Sequence, residues 1–386
     1  MARQTAISIN TIPIGPLGII GMPGCEELTD KIDKYLVKWR KTQAIEHAES
    51  IAFFGYQRDS YKIDITIPRF GSGEGKGVIN ESVRGYDIYI VCDVFNYSCT
   101  YNMYGKEVCM SDLKRVISAL CSKPKRVSVI MPMLYEGRQH KRSSRESLDC
   151  AMALKELVHL GVENIITFDA HDQRVQNAIP DKSFENVMPT YQMIKALVNN
   201  VDDLKVDKDH LMVISPDEGA LHRCIYFATQ LGVNLGMFYK RRDYTRVVNG
   251  RNPIVEHQYL GDSVKGKDII IVDDMISSGE SMLEVAMKLK NLGCNRIFVC
   301  TTFGLFCNGL DVFDKAYADG VFYRVFTTNG VYQTPELLSR EWYVSVELSK
   351  YAAYLIDTLN HDMSVSSLLD SSEKIDAILK NKGLKG

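Results

Sequence analysis

No stretch of the sequence approaches the roughly 18–20 consecutive apolar residues that a membrane-spanning helix requires. The segment from Met1 to Gly21 carries one early arginine and polar residues through Asn10, unlike a secretory leader. No sign of charge dominates either: 46 basic residues against 48 acidic ones leave a net charge of −2. A nucleic-acid-binding body and a polybasic membrane binder are both disfavoured by that balance. The ten cysteines contain no C-x-x-C pair and are too sparse in 386 residues for a disulfide scaffold or a structural zinc knuckle. Several stand at apolar positions, such as Cys224 and Cys300, where a thiol acts as a small hydrophobe. A Walker motif is also missing, and the glycine-rich run from Gly71 to Gly77 does not meet the dinucleotide pattern. These absences point to a cytoplasmic protein with reduced thiols, without nucleic acid or membrane as partner.

What is present is an alternation. Short apolar runs at Asp87–Val91, Arg126–Met131, Asn164–Phe168, Leu211–Ser215, Leu235–Tyr239, Asp268–Val272, Arg296–Thr301 and Phe322–Phe326 are separated by helical stretches. Near-continuous runs of this kind are typical of parallel strands buried on both faces, so the spacing predicts an α/β protein with mostly parallel sheets. Between them, Ser281–Leu292 has apolar residues at helical spacing and stops at Gly293, and Arg145–Leu160 before Gly161 has the same form. The length calls for two domains. Gln173–Thr190, polar and holding Pro180 and Pro189, is the best boundary, giving expected domains at 1–185 and 186–386.

The strongest chemical signal follows the apolar run Ile269–Val272. Asp273 and Asp274 come next, then Met275 and Ile276, then Ser277, Ser278, Gly279, Glu280 and Ser281 opening a helix. A loop entering a helix offers backbone N–H groups to a phosphate, and strand ends of open α/β sheets are where ligands bind. Paired carboxylates suit a vicinal diol, which donates two hydrogen bonds. A sugar phosphate satisfies both halves; the bland alternative is a strand end with solvated acids and an ordinary capped helix.

This segment resembles the ribose-5-phosphate signature of the phosphoribosyltransferase fold. The rest of the chain is similar to the ribose-phosphate pyrophosphokinase family. Arg69–Glu74 with Asn80–Asp87, Tyr135–Gln139, Phe168–His171, Ser215–Gly219, Lys240–Arg242 and Gly261–Lys267 resemble, in the family's order, its Phe-x-x-Gly-Glu with Glu-Ser-Val-Arg-Gly-x-Asp, Tyr-Ala-Arg-Gln, Asp-Leu-His, Ser-Pro-Asp-x-Gly, Lys-Arg-Arg and Gly-Asp-Val-x-Gly-Lys segments. With the acidic strand end, seven ordered segments between about residues 65 and 370 carry the likeness.

The resemblance implies two type I phosphoribosyltransferase domains facing a cleft, and transfer of the diphosphate of ATP to the 1-hydroxyl of ribose 5-phosphate with Mg²⁺. It makes Phe70, Ser72, Glu74, Arg138, Gln139 and His140 the ATP residues, with the Phe70 segment serving a neighbouring subunit of a hexamer. His171 and Asp217 become the metal ligands, Asp273 to Asp274 and Ser277 to Ser281 the ribose 5-phosphate site, and Lys240 and Arg242 the catalytic cations of a flap. Departures occur at His140, where the family has an acid; at Ala220, where it has glycine; at Glu280 in the phosphate loop; and at Phe303, where the family's Thr-His-Gly stands as Thr302-Phe303-Gly304. They motivate the alternative of a catalytically silent regulatory paralogue. A transferase acting on a base or amine needs only one such domain. The region around residues 40–65 is longer than the family norm and has no clean period.

Overall fold

The structure, a computed structural model, describes residues 11–46, 56–95, 106–142, 144–242 and 254–384. The chain opens with β1 (Leu17–Gly21), α1 (Glu26–Glu46), a small antiparallel pair β2 (Ile65–Thr66) and β3 (Val78–Ile79), β4 (Asp87–Val91), α2 (Lys106–Ala119), β5 (Arg126–Ile130), α3 (Asp149–His159), β6 (Asn164–Phe168) and β7 (Ser183–Val187). It continues through α4 (Thr190–Asn200), β8 (Leu211–Ser215), α5 (Leu221–Leu231), β9 (Asn234–Arg242), β10 (Ile254–Leu260), β11 (Asp268–Ile276), α6 (Glu280–Asn291), β12 (Ile297–Gly304), α7 (Asp311–Ala318), β13 (Arg324–Thr328), α8 (Pro335–Leu338) and β14 (Tyr343–Val346). It ends with α9 (Ser349–Asn360), α10 (Ser366–Leu369) and α11 (Ser372–Asn381).

Two compact units result. The first takes the chain to Met188 together with Gly330–Tyr332 and Leu348–Asp370; the second takes Pro189–Asn329, Gln333–Glu347 and Ser371–Gly386. The first unit's sheet is parallel throughout, in the order β1-β4-β5-β6-β7. The second unit's sheet runs β10-β9-β8-β11-β12-β13-β14, with only β10 antiparallel to its neighbour. The expected α/β architecture with mostly parallel sheets is therefore what forms.

The central strands of the second sheet are buried on both faces because apolar residues point to both sides of each. Ile269, Ile271, Val299 and Val325 pack on one side with Val285 and Leu289 of α6, and Ile270, Val272, Phe298 and Phe326 pack on the other with Cys224 and Phe227 of α5. Such burial contributes on the order of 2 kcal/mol for each large apolar side chain. Among the described residues no helix is long and apolar enough to cross a membrane.

Among the departures from the sequence expectations, three bear on the site and its supports. The stretch 173–190 holds β7, whose Ser-Phe-Glu-Asn-Val sequence pairs with β6 at the sheet edge; its polar residues answer to an edge position, and Asn186 uses its side-chain carbonyl to accept the Ala170 N–H at 2.9 Å. The helix α1 runs into the region that has no clean period. Last, β11 does not stop at Val272: Asp273 lies opposite Thr301 and Met275 opposite Phe303, so both acids sit within the strand.

The end of α1 is held by a buried charge. Arg40 is 1% exposed and donates to Asp357 Oδ1 from Nε at 2.9 Å and from Nη2 at 2.8 Å, and to Asn360 Oδ1 at 2.7 Å, joining α1 to α9. Tyr56 and Tyr61 flank the guanidinium with ring centroids 4.6 and 5.1 Å away. Asn360 in turn donates to Asp87 Oδ2 at 2.8 Å, which also accepts from Arg126. Removing one partner of a buried pair strands the other in low dielectric. Asp357→Ala is expected to lower unfolding free energy by about 3–5 kcal/mol, measured as a shift of the urea midpoint at pH 7.5.

His361, fully buried beside this network, donates from Nδ1 to Asp357 O at 2.7 Å, while its Nε2 has no hydrogen-bond partner. Burial pushes its pKa below the usual 6.5, against the pull of Asp357 and with the push of Arg40. The folded state therefore favours the neutral ring, whereas the unfolded chain takes up a proton below about pH 6.5. The stability that His361 contributes is complete above that pH and declines as pH falls through it. Urea midpoints from pH 7.5 to 5.5 should fall more steeply for the wild-type chain than for His361→Asn; parallel slopes would contradict this.

Candidate functional site

In the second unit the acidic pair stands at the carboxyl end of β11, the position that the sheet's topology favours for a ligand. Asp274 is 3% exposed, and the Asp273 side chain is 30% exposed. The Asp274 N–H donates to Asp273 Oδ1 at 2.8 Å. Burial, reinforced by the charge of Asp274, pushes the Asp273 carboxyl well above the usual carboxylate range, and Arg223 opposes the shift. Arg223 Nη1 lies 3.6 Å from Asp273 Oδ1.

The loop from Ser277 to Gly279 then enters α6. Gly279 has φ +88°, and a Cβ there would meet Phe313 Cζ at 2.2 Å, so both backbone and space demand glycine. The loop is pinned from the β12 side, since Leu305 N donates to Ile276 O at 2.8 Å and Cys307 N to Ser277 O at 2.9 Å. The first-turn N–H groups of α6 have no acceptor within the helix and carry its positive end, which suits an anion. Glu280 is exposed in that turn, and its Oε1 accepts from Asn308 Nδ2 at 3.4 Å. Ser281 is exposed next to it.

Elsewhere in this unit, Asp217 follows β8 and uses Oδ1 to accept the Gly219 N–H at 2.9 Å and the Ala220 N–H at 3.2 Å, shaping the entry to α5. Ala220 has φ −81°, a conformation that does not need the glycine of the resembled family. Phe303 is buried in β12 at 2% exposure, so that departure is absorbed by the core. Lys240 and Arg242 lie at the end of β9, with the backbone of Lys240 opposite His257 and that of Arg242 opposite Ile254 on β10. The remainder of the expected flap, 243–253, lies outside the described residues.

In the first unit, residues 70–74 form a tight exposed turn beside β2 and β3. Phe70 N donates to Glu74 O at 2.9 Å, and Ser72 Oγ donates to Glu74 Oε2 at 2.7 Å, so the three expected ATP residues share one tip. Phe70 is 57% exposed. The turn is anchored through Arg69, which forms a two-pronged ion pair with the fully buried Asp112 of α2. Arg138 and Gln139 are exposed on the loop after β5.

His140 behaves differently from these two neighbours. Its Nε2 lies 3.3 Å from Asp172 Oδ2, and its ring centroid is 5.4 Å from that of His171. Burial lowers its pKa, against the pull of Asp172. Asp172 itself is held well below the usual carboxylate range, chiefly by the side-chain hydrogen bonds of Arg174. His171 is exposed after β6, following Asp169 at φ +42°. The exposed imidazole of His171 suits an ion that takes one or two protein ligands and the rest from phosphates and water. Among the described residues no group of three His, Cys, Asp or Glu converges on a metal position.

Sequence reasoning did not single out Arg223, Asp112 or Asp172. For Arg223 a signal existed: it is the one charge on the stripe of α5 formed by Cys224, Phe227, Ala228 and Leu231.

Comparison with known proteins follows this layout. The N-terminal domain of ribose phosphate pyrophosphokinase matches residues 17–161, and the phosphoribosyl transferase domain matches 182–339. A ribose-phosphate pyrophosphokinase of Ralstonia nicotianae is 30% identical over 241 residues, spanning 61% of this chain and 69% of that one. The chain belongs to the ribose-phosphate pyrophosphokinase family. The Vibrio parahaemolyticus ribose-phosphate pyrophosphokinase is 28% identical over 313 residues, 80% of this chain and 91% of its own. In fold, the crystal structure of phosphoribosylpyrophosphate synthetase from Mycobacterium smegmatis aligns with TM-score 0.71 at 20% identity, covering 90% of this chain and 99% of the other.

The requirement for glycine at 279 is testable on stability alone. Gly279→Ala is expected to cost about 1–3 kcal/mol through overpacking and the left-handed backbone. Adding Phe313→Leu should return the steric share but not the backbone share, as read from thermal melts of the three chains.

Proposed function

We propose that the chain transfers the β,γ-diphosphate of ATP to the 1-hydroxyl of ribose 5-phosphate, releasing AMP and forming 5-phosphoribosyl 1-diphosphate in the cytoplasm. The observation that carries this reading is the second unit's acidic strand end next to the glycine-dependent loop at the α6 N-terminus, in a chain of the ribose-phosphate pyrophosphokinase family. That pair of features matches a ligand with a diol at one end and a phosphate at the other.

In the proposed reaction, Asp273 and Asp274 accept hydrogen bonds from the ribose hydroxyls, and the backbone and hydroxyls of Ser277 to Ser281 hold the 5-phosphate. This fixes the 1-hydroxyl oxygen for in-line attack on the β-phosphorus, a gain in orientation rather than in new covalent chemistry. The bond from the β-phosphorus to the oxygen bridging it to the α-phosphorus breaks, AMP leaves with that oxygen, and the hydroxyl proton passes to solvent or to the leaving group. Lys240 and Arg242 stabilise the charge that develops on the transferring phosphates. Arg138, Gln139 and His140 serve ATP within the first unit. Phe70, Ser72 and Glu74 present their tip to the adenine of a second copy; an aromatic ring 57% exposed on an anchored turn supports that use and a homo-oligomer, a hexamer by likeness. His171 and Asp217 would hold Mg²⁺, which when bound screens phosphate charge.

Purified protein given ATP, Mg²⁺ and ribose 5-phosphate should release AMP only when the sugar is present, one for one with 5-phosphoribosyl 1-diphosphate. Lys240→Ala should lower turnover by about 10²–10³, the usual cost of one transition-state contact, with little change in sugar affinity. ATP binding without AMP release would instead favour a silent regulatory chain, a reading to which His140 against Asp172 lends its support.

A further inference from the structure

We propose that Arg223 is a positioning residue of the sugar site, holding Asp273 as a hydrogen-bond acceptor for the ribose diol. The inference rests on the reading of Asp273 and Asp274 as the diol site and adds to it the group that makes the pair chemically competent.

A diol donates, so its partners must accept. A carboxylate accepts at both oxygens, whereas a protonated carboxyl carries a donor of its own and opposes one of the two hydroxyls. Two acids on consecutive residues at a buried strand end are pushed towards that protonated form by burial and by each other. Among the described residues the charges acting on Asp273 are Asp274 from its own strand and Arg223 from α5; Thr301, its neighbour on β12, is neutral, and the pairing of β11 with β8 ends at Ile271.

Arg223 is well placed to counter the pair. It is 7% exposed, and a guanidinium so buried requires an anion nearby. At 3.6 Å from Asp273 Oδ1 it lies beyond normal hydrogen-bond length, so it favours the carboxylate electrostatically without capping the oxygens that the sugar would use. Its helix is fixed on the strand it serves: the Cys224 thiol donates to Val272 O at 3.2 Å, and Asp217 Oδ1 takes the N–H groups of Gly219 and Ala220 just before α5. Arg223 touches no reacting atom in this scheme, and its influence passes through Asp273.

The test is calorimetric binding of ribose 5-phosphate from pH 6 to 8 by the full chain, its Arg223→Met and Arg223→Lys variants, and the Arg223→Met/Asp273→Asn double variant, with α,β-methylene ATP as a second ligand. Arg223→Met should raise the sugar Kd at least tenfold at pH 7 and make binding recover as pH rises. Arg223→Lys, which keeps the charge, should stay within about threefold, and the pH dependence introduced by the methionine should vanish in the double variant. Binding of the ATP analogue should be unchanged. Wild-type affinity and pH dependence in Arg223→Met would overturn the proposal, as would equal losses in the methionine and lysine variants. Should the methionine variant fail to fold by circular dichroism, Arg223→Gln provides the same comparison. Absence of ribose 5-phosphate binding by the wild-type chain would refute the proposed function itself, a result distinct from any of these.

Discussion

Repulsion between two carboxylates on consecutive residues is the constraint around which the second unit is arranged. Asp273 and Asp274 continue β11 instead of following it, so their backbones are fixed by the ladder to β12 and cannot move apart. Water alone does not relieve the pair, since Asp274 is almost fully buried. Relief comes from the protein: the Asp274 N–H turned onto Asp273, and the cation of Arg223 delivered by α5. The same strand ends a few residues later in a turn that only glycine can make against Phe313. An acidic pair and a loop suited to an anion are thus held next to each other by one strand, with their opposite electrostatic demands separated by Met275 and Ile276.

The first unit meets a different problem. Most of the residues proposed for ATP stand on exposed loops, and exposed loops gain little order from their own contacts. Order is supplied by carboxylates: the buried Asp112 fixes Arg69 and with it the Phe70 turn, and the partly buried Asp172 engages both His140 and Arg174. Further from the loops, Arg40, Asp357, Asn360 and Asp87 connect α1, α9 and β4 through a buried polar chain. That chain also explains why the late segment 348–370 belongs to the first unit: its carboxylate and amide are the partners that make a buried arginine tolerable there.

Legibility in the sequence followed burial. Strands buried on both faces, such as β4, β6 and β8, stand where the apolar runs lie, residue for residue, because short, β-branched runs bounded by turn residues suit a buried strand. The edge strand β7 was hidden, since an edge admits Glu185 and Asn186, and α1 was hidden by the charges that line its exposed side. Candidate residues carrying a local motif could be named from order along the chain: Asp273, Gly279, His171, Asp217. Arg223, Asp112 and Asp172 could not, because each acts on a residue tens of positions away and its meaning depends on the fold having formed. An isolated charge in an apolar helical stripe was the available clue, and it points to a partner without saying which.

The four departures from the family pattern separate by the same physics. Ala220 and Phe303 are settled by packing: one has a backbone that an L-residue adopts freely, and the other replaces a polar group with a ring that the core encloses. Glu280 and His140 are not settled by packing, because each brings its polarity to a place where phosphates are expected. Glu280 adds a negative charge at the helix terminus that would receive the 5-phosphate, and its link to Asn308 directs that charge to a side-chain amide. His140 exchanges a family acid for an imidazole that faces Asp172, with its ring tilted against that of His171. Replacing an acid by a neutral or cationic ring removes repulsion towards a polyphosphate, while Glu280 adds repulsion towards a monophosphate. What Glu280 does to an anion at the α6 N-terminus rests on how completely Asn308 draws its carboxylate away from that terminus.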